Sequence, residues 1–267
     1  MAQIETPPVW EKSAYIRPIN SVDGGIRALT HLAEIRPPGL KRCRAYIKHF
    51  PPSHHQALFN EWFGYSLMRA LGVPQPDAGV MLAPVFALPG TPLQWSFASC
   101  QPSPTFEGTP AQLYKIDKPE QREALVKRLL ACTAMPLLIA ADQLVKNGDR
   151  NPGNLVFTGK SSFVAIDHSD VLGGPAWQLP DTHFTQGWAW SRPIEQLTTI
   201  PDLKNDTKSA ILASAQLVSE KLFELQNELK DVLGAESNAS VSAALNMVWW
   251  RALDLEKWFK EKFGLLA

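Results

Sequence analysis

Cysteine is scarce in this chain: three among 267 residues, Cys43, Cys100 and Cys132, with no CxxC or CxxH spacing. So sparse and odd a set argues against a disulfide framework and is expected of reduced thiols in a cytosol. Net charge is missing too, because 26 Lys and Arg balance 26 Asp and Glu. Without a basic excess, non-specific binding to nucleic acid or to a membrane surface is not expected. Long apolar runs are absent: the uncharged Leu129 to Ala141 holds Pro136 and is far too short to span a bilayer. The polar start Met1-Ala2-Gln3-Ile4-Glu5 has no basic segment leading into an apolar one, so a cytoplasmic location is expected. No internal repeat or low-complexity tract is visible, and the 22 prolines are scattered.

What is present suffices for a substantial core, since 45% of the residues are hydrophobic. The first hundred residues read as strands and turns around one helix. Ala45 to Phe50 favours a strand that Pro51-Pro52 must end. Ser53-His54-His55-Gln56 has capping-box spacing, and Phe59, Trp62, Phe63, Leu67 and Ala70 form a helical face ended by Gly72 and Pro74. Strand patterning returns from Val80 to Cys100, with a turn at Pro89-Gly90. Pro102 to Thr109 is the candidate linker.

Beyond it the pattern turns helical. Asp117-Lys118-Pro119-Glu120 reads as a helix start with a capping acid, and the helix should run towards Lys146, kinked or interrupted at Pro136. Leu155–Thr158 and Phe163–Asp167 read as two short strands about a turn at Gly159-Lys160. A segment rich in Gly, Pro and Trp follows over 171–205. Two long helices close the chain, one through Ile211, Ala215, Val218, Leu222, Leu225, Leu229 and Val232, the other through Val241, Leu245, Val248, Ala252, Leu255 and Phe259. The layout is α+β, a β-rich region over 1–105 joined to a helical one over 106–267.

The chemistry concentrates between Asp142 and Ser169. Asp149 and Asn154 lie in a polar loop after a helix, and Asp167 ends the second of two short strands. Hard cations take carboxylate, amide and phosphate oxygens, so Asn154 with Asp167 suits a nucleotide-bound Mg²⁺. Asp149 is then left to accept a proton from an attacking hydroxyl. Asp149 precedes Asn154 by five residues, and Asp167 follows thirteen later at a strand end. That is the spacing of the catalytic Asp and metal-binding Asn of protein kinases, where a later hairpin supplies the second metal-binding Asp. The other reading is a polar connecting loop with an acidic cap.

Asn147-Gly148-Asp149-Arg150-Asn151-Pro152-Gly153-Asn154, followed by Ile166-Asp167-His168, resembles the catalytic and metal-binding loops of HipA-like kinases. It is also similar to the Asp-Arg…Asn loop of phosphoinositide 3/4-kinases. Upstream, Asn60-Glu61 and then Leu71-Gly72-Val73-Pro74-Gln75-Pro76 resembles the HipA-type helix that carries a Glu and ends at Leu-Gly-Val-Pro. The resemblance covers roughly residues 40 to 175 and implies a two-lobed, protein-kinase-like α+β fold using ATP and Mg²⁺. It implies Asp149 as catalytic base and Asn154 and Asp167 as Mg²⁺ ligands. Lys48 would touch the α/β-phosphates, and Glu61 would hold Lys48 by an ion pair. By position alone, a Lys ending a strand and a Glu on the next helix can meet, but such residues are common on surfaces.

The phosphate loop would be Ser21-Val22-Asp23-Gly24-Gly25-Ile26-Arg27, with Ser21 and Gly24 in the Ser-x-x-Gly slots and Arg27 as its basic residue. Asp-Gly-Gly is equally an ordinary turn, and no GxGxxG occurs anywhere in the chain. The adenine-binding hinge would fall at Gln94–Gln101. The acceptor implied is a protein Ser or Thr. The alternatives are a nucleotide-binding pseudokinase or regulatory module that docks a partner protein, and a kinase for a small molecule or lipid head group. Arg150 is expected to brace the loop. His168 either orients a metal ligand or packs behind the hairpin. His54-His55 is expected to be a solvated helix start and, together with His49, not a metal site, and Trp249, Trp250, Trp258 and Phe259 are expected to be core. The tryptophans of 172–203 either grip a substrate or close the lobe.

Overall fold

The computed structural model describes residues 5–22, 28–82, 94–102, 116–178, 203–235 and 238–265. Six strands make one sheet: β1 (Val9–Trp10), β2 (Tyr15–Val22), β3 (Leu29–Ile35), β4 (Cys43–His49), β5 (Ala78–Leu82) and β6 (Trp95–Cys100). Their order is β1-β5-β6-β4-β3-β2, antiparallel except for the β1/β5 pair. β4 is central and alternates strictly. Ala45, Ile47 and His49 are buried on one face, while Lys48 and Tyr46 point to the other. It ends where Pro51 and Pro52 withdraw two N–H donors.

Helix α1 (Ala57–Leu71) follows as expected, and Gly72 stops it in the left-handed conformation, at φ 95°. The expected capping box does not form. Pro52–His54 is a separate 3₁₀ turn, closed by His54 N–H on the Pro51 carbonyl, and no side chain caps α1. The Gln56 N–H instead reaches the carbonyl of Pro175, 2.9 Å away.

The helical region holds α2 (Pro119–Leu130), α3 (Met135–Leu144), α4 (Asn205–Glu224), α5 (Gln226–Leu233) and α6 (Ala239–Lys262), with the hairpin β7 (Leu155–Phe157) and β8 (Phe163–Ala165) between α3 and α4. Two expectations need correction. Asp117 does not cap α2, whose N-cap is the extended Lys118 with no side-chain bond. The run towards Lys146 is interrupted next to Pro136 as expected: two helices are bent by 88°, and Pro136 lies in the first turn of α3, where its missing N–H costs nothing. The helix expected to run from Ile211 to Val232, by contrast, breaks at Leu225. The break resets the phase, so Leu229 and Leu233 face inward and Val232 is exposed. The final helix buries its six expected residues, Phe259 among them, and Trp258; Trp249 is half-buried and Trp250 instead faces solvent.

One core joins α1 (Phe63, Leu67, Met68) to α3, α4, α6 and both strands of the hairpin. A second, smaller core of Trp10, Ala33, Ile35, Ala45, Ile47, Met81 and Ala98 backs the sheet. Helix α1 therefore bridges the sheet and the helical region. No single helix among the described residues is long and apolar enough to cross a membrane. Most of the candidate linker, 103–109, and the Pro89-Gly90 turn lie outside the described residues.

Candidate active site

Three elements meet at one ammonium. Lys48 Nζ, near the end of β4, pairs with Glu61 Oε1 of α1 at 2.5 Å and with Asp167 Oδ1 after β8 at 3.1 Å. Glu61 spends its second oxygen on the His168 N–H, 2.9 Å away, so one carboxylate ties β4 to the loop that carries Asp167. Asp167 is left-handed, with φ 65°, a conformation costing a non-glycine residue about 1–3 kcal/mol. Ser169 Oγ donates to its Oδ1 and Arg150 donates to its carbonyl, which holds it there.

The electrostatics separate the two carboxylates. Burial pushes Glu61 up to about 7, against the pull of Lys48. Burial also raises Asp167, but Lys48 overturns that and holds it well below the usual carboxylate range. Asp167 keeps 37% of its side chain exposed and Glu61 only 1%. A proton entering this trio therefore goes to Glu61 and leaves Asp167 ionised. Burial alone would lower Lys48, yet the charges of Asp167 and Glu61 outweigh it and its pKa is raised.

Behind the trio lies a buried brace. Arg150 and Asp142 have fully buried side chains and form a two-pronged pair, Nε to Oδ2 at 2.9 Å and Nη2 to Oδ1 at 3.2 Å. Burial raises the Asp142 carboxyl, with Arg150 and Asn147 opposing it. Arg150 also donates to the Ile166 carbonyl and, through Nη2, to His168 Nδ1 at 3.1 Å. A guanidinium only donates, so Nδ1 accepts and Nε2 carries the proton to Gln75 Oε1. Burial, then the charges of Arg150 and Lys48, keep His168 neutral, its pKa well below the usual value. Arg150 is thus the expected brace, and His168 packs behind the hairpin.

The loop itself is built from asparagines. Asn147 Nδ2 donates to Asp142 Oδ1 while its Oδ1 accepts the Asp149 N–H. Asn151 Nδ2 and Asn154 Nδ2 both donate to the Asp149 carbonyl, at 3.0 and 3.1 Å. The Asn154 amide nitrogen is thereby occupied, and its oxygen is the atom a hard cation takes. The Ile166 N–H donates to the Asn154 carbonyl and places Asn154 beside the strand end that carries Asp167. Two hard-oxygen ligands with Asp167 ionised suit Mg²⁺, which keeps its remaining positions for water and phosphate. No cluster of three or more His, Cys, Asp or Glu able to hold a metal occurs among the described residues, His49, His54 and His55 included.

Ser21 is an exposed residue of the edge strand β2, opposite His31. Gly24, Gly25 and Arg27 lie outside the described residues. The register sets Val22, the last residue of β2, against Thr30, and Thr30 against Lys48. Trp177 is buried, its Nε1 donating to Asn60 Oδ1, and it helps close the helical region; Trp188 and Trp190 lie outside the described residues.

Several residues that build the site have no role in the sequence reading. Asn60 Nδ2 donates to the carbonyls of Ser169, Val171 and Gly174, so α1 holds the segment after Asp167 as well as Lys48. Arg251 of α6 is buried and donates to the Gln143 and Leu144 carbonyls at the end of α3, just before the loop. Asp142 and Arg251 share a legible signal, each being the charged residue on an otherwise apolar helical face, where a charge needs a partner.

No family model matches the chain, and no curated protein matches it. Among solved structures it is similar to the crystal structure of the Helicobacter pylori proinflammatory kinase CtkA, at 13% identity and a TM-score of 0.48, over 93% of this chain and 99% of that one.

Proposed function

We propose that this chain is an ATP- and Mg²⁺-dependent phosphotransferase of the HipA-like type, passing the γ-phosphoryl group to a Ser or Thr hydroxyl of a protein. On this reading 1–105 and 106–267 are its two lobes. The observation that supports it is the junction of Lys48, Glu61 and Asp167, which draws strand, helix and hairpin loop to one point beside the Asp149–Asn154 loop. Glu61 aims the ammonium of Lys48, which takes the α/β-phosphate oxygens of ATP. Asn154 and Asp167 would hold Mg²⁺, which would supply charge neutralisation on the phosphates. Asp149 accepts the proton as the acceptor oxygen bonds to the γ-phosphorus and the bond to the β-phosphate oxygen breaks, releasing ADP.

The test is incubation of the purified protein with γ-labelled ATP and Mg²⁺, beside Asp149→Asn and Asp167→Asn, following label on the protein, on added lysate proteins and on small molecules. Transfer to protein that is lost in both variants supports the reading. Retained transfer in both overturns it. Transfer to a small molecule alone replaces the acceptor, and no transfer with ATP still raising the melting temperature makes the chain a nucleotide-binding module.

A further inference from the structure

Cys43 and Cys100, fifty-seven residues apart in sequence, bring their sulfurs to 3.2 Å. The sheet puts them there. Ala45 and Cys100 are register partners on adjacent antiparallel strands, and Cys43 lies two residues before Ala45 on the same face of β4. The Gln101 N–H donates to the Arg44 carbonyl at 2.7 Å and fixes the strand ends between them. Lys48 faces the other side of β4, so the thiol pair belongs to a different surface from the candidate active site. The sulfurs need approach by only about 1.2 Å to reach bonding distance.

The pair also opens to solvent unequally. It borders a cavity of about 460 Å³ lined by Lys41, Arg42, Cys43, Asp77, Cys100 and Gln101. Cys43 is half-buried and Cys100 only 7% exposed, so a reagent meets Cys43 first and leaves Cys100 to resolve the product.

We propose that Cys43 and Cys100 form an oxidisable dithiol that reacts with low-molecular-weight disulfides of the glutathione type and closes to an intramolecular disulfide. The Cys43 thiolate attacks one sulfur of the small disulfide, whose S–S bond breaks, and one small thiolate leaves. Cys100 then loses its proton and attacks Cys43 Sγ, breaking the mixed disulfide and releasing the second small thiolate. The protein loses two electrons and two protons, and the small disulfide becomes two thiols. Burial first, then the contact with Cys43, pushes the Cys100 thiol up, so the second step is the slower one. The closed bond ties the start of the strand that carries Lys48 to the end of β6, where the chain leaves the sheet. The reaction needs no nucleotide and stands apart from the proposed phosphotransfer.

The native protein is incubated with oxidised glutathione, and its free thiols are counted by alkylation after unfolding. The expected count falls from three to one, with a mass loss of about 2 Da and a linked peptide pair holding Cys43 and Cys100. Cys100→Ser should trap glutathione on Cys43, at a gain of about 305 Da, and Cys43→Ser should abolish closure. In denaturant the preference for this pair over pairs with Cys132 should vanish. Three thiols surviving in the native protein, a stable adduct on Cys43 in the unsubstituted chain, or linkage through Cys132 would each overturn the proposal.

Discussion

Gly64 of helix α1 lies so close to His168 that a Cβ built on the glycine would stand 2.6 Å from His168 Cβ, and 3.3 Å from Val171. The neighbour cannot yield. The His168 ring is held on both sides, by Arg150 and Gln75, and its N–H by Glu61. A glycine within a helix costs about 1 kcal/mol against alanine, so propensity alone favours Gly64→Ala. Overpacking costs about 1–3 kcal/mol and should win. Gly64→Ala is expected to lower the urea midpoint and to weaken ATP-induced thermal stabilisation, because the displaced loop carries Asp167. A variant as stable as the parent with full ATP response would refute the close-packing argument.

Lys48 neutralises a carboxylate that has almost no access to water. Removing it leaves Glu61, already raised to about 7 beside Lys48, to bury a charge without a partner or to take up a proton, and breaking a buried pair from one side costs up to about 3–5 kcal/mol. Lys48→Met should therefore destabilise more than Glu61→Gln. The double variant Lys48→Met/Glu61→Gln should be more stable than Lys48→Met alone, since the unpartnered carboxyl is gone. Urea denaturation of the four proteins closes the cycle. A double variant no more stable than Lys48→Met would show that the pair is not the electrostatic unit its geometry describes.

Part of the acid sensitivity of the fold should trace to the sheet, beside the share that buried, neutral His168 contributes. His31 is buried, its Nε2 lies 3.1 Å from Tyr15 Oη, and its ring stacks on His49 at 5.6 Å. Burial first, then the charge of His49, lowers His31 from 6.5 to about 4, and burial lowers His49 as well. The unfolded chain thus binds a proton that the native state refuses between those values. Stability is fully present above pH 6.5 and falls as the pH drops towards 4, by up to about 3 kcal/mol from His31 alone. Between pH 6.5 and 5 His31 should contribute a loss of about 2 kcal/mol, which Glu61, raised to about 7, opposes and neutral His168 adds to, and His31→Gln should remove that contribution from the slope whatever its own stability. An unchanged slope would place the acid sensitivity elsewhere.

How much of this was legible follows from distance along the chain. Asp149, Asn154 and Asp167 were readable because one loop and one hairpin set their spacing, and the same locality exposed β7 and β8. Lys48 and Glu61 were readable as adjacent elements, although only the three-dimensional structure shows Asp167 sharing the ammonium. The brace was hidden, since Arg150 meets Asp142 across a helix end and Arg251 reaches α3 from a helix about a hundred residues downstream. Caps failed for a related reason. Pro51-Pro52 set a 3₁₀ turn, and Pro175, distant in sequence, takes the N–H that a Ser53 cap would have served. The break at Leu225 has no marker in the sequence, where neither Gly nor Pro interrupts the apolar spacing.

Arg251 offers the last test, because it acts on the loop only through α3. Its Nε and Nη2 donate to the Leu144 and Gln143 carbonyls, at 2.9 and 2.6 Å, and its charge faces the negative end of the α3 dipole. Burial lowers its pKa to about 10, so it remains a cation at neutral pH. Lys146 and Asn147 follow at once, and Asn147 sets the Asp149 N–H. Replacing Arg251 by Met keeps the apolar stem but drops both bonds, each worth about 1.5–3 kcal/mol to a charged donor. A merely structural residue would lower the melting temperature and leave the surviving enzyme normal. On the proposed phosphotransfer, a positioning residue should instead lower kcat more than it changes KM for ATP, because Asp149 moves while Lys48 stays, and Arg251→Lys should recover part of kcat by restoring one donor. Equal kcat in the parent and in folded Arg251→Met would confine Arg251 to stability.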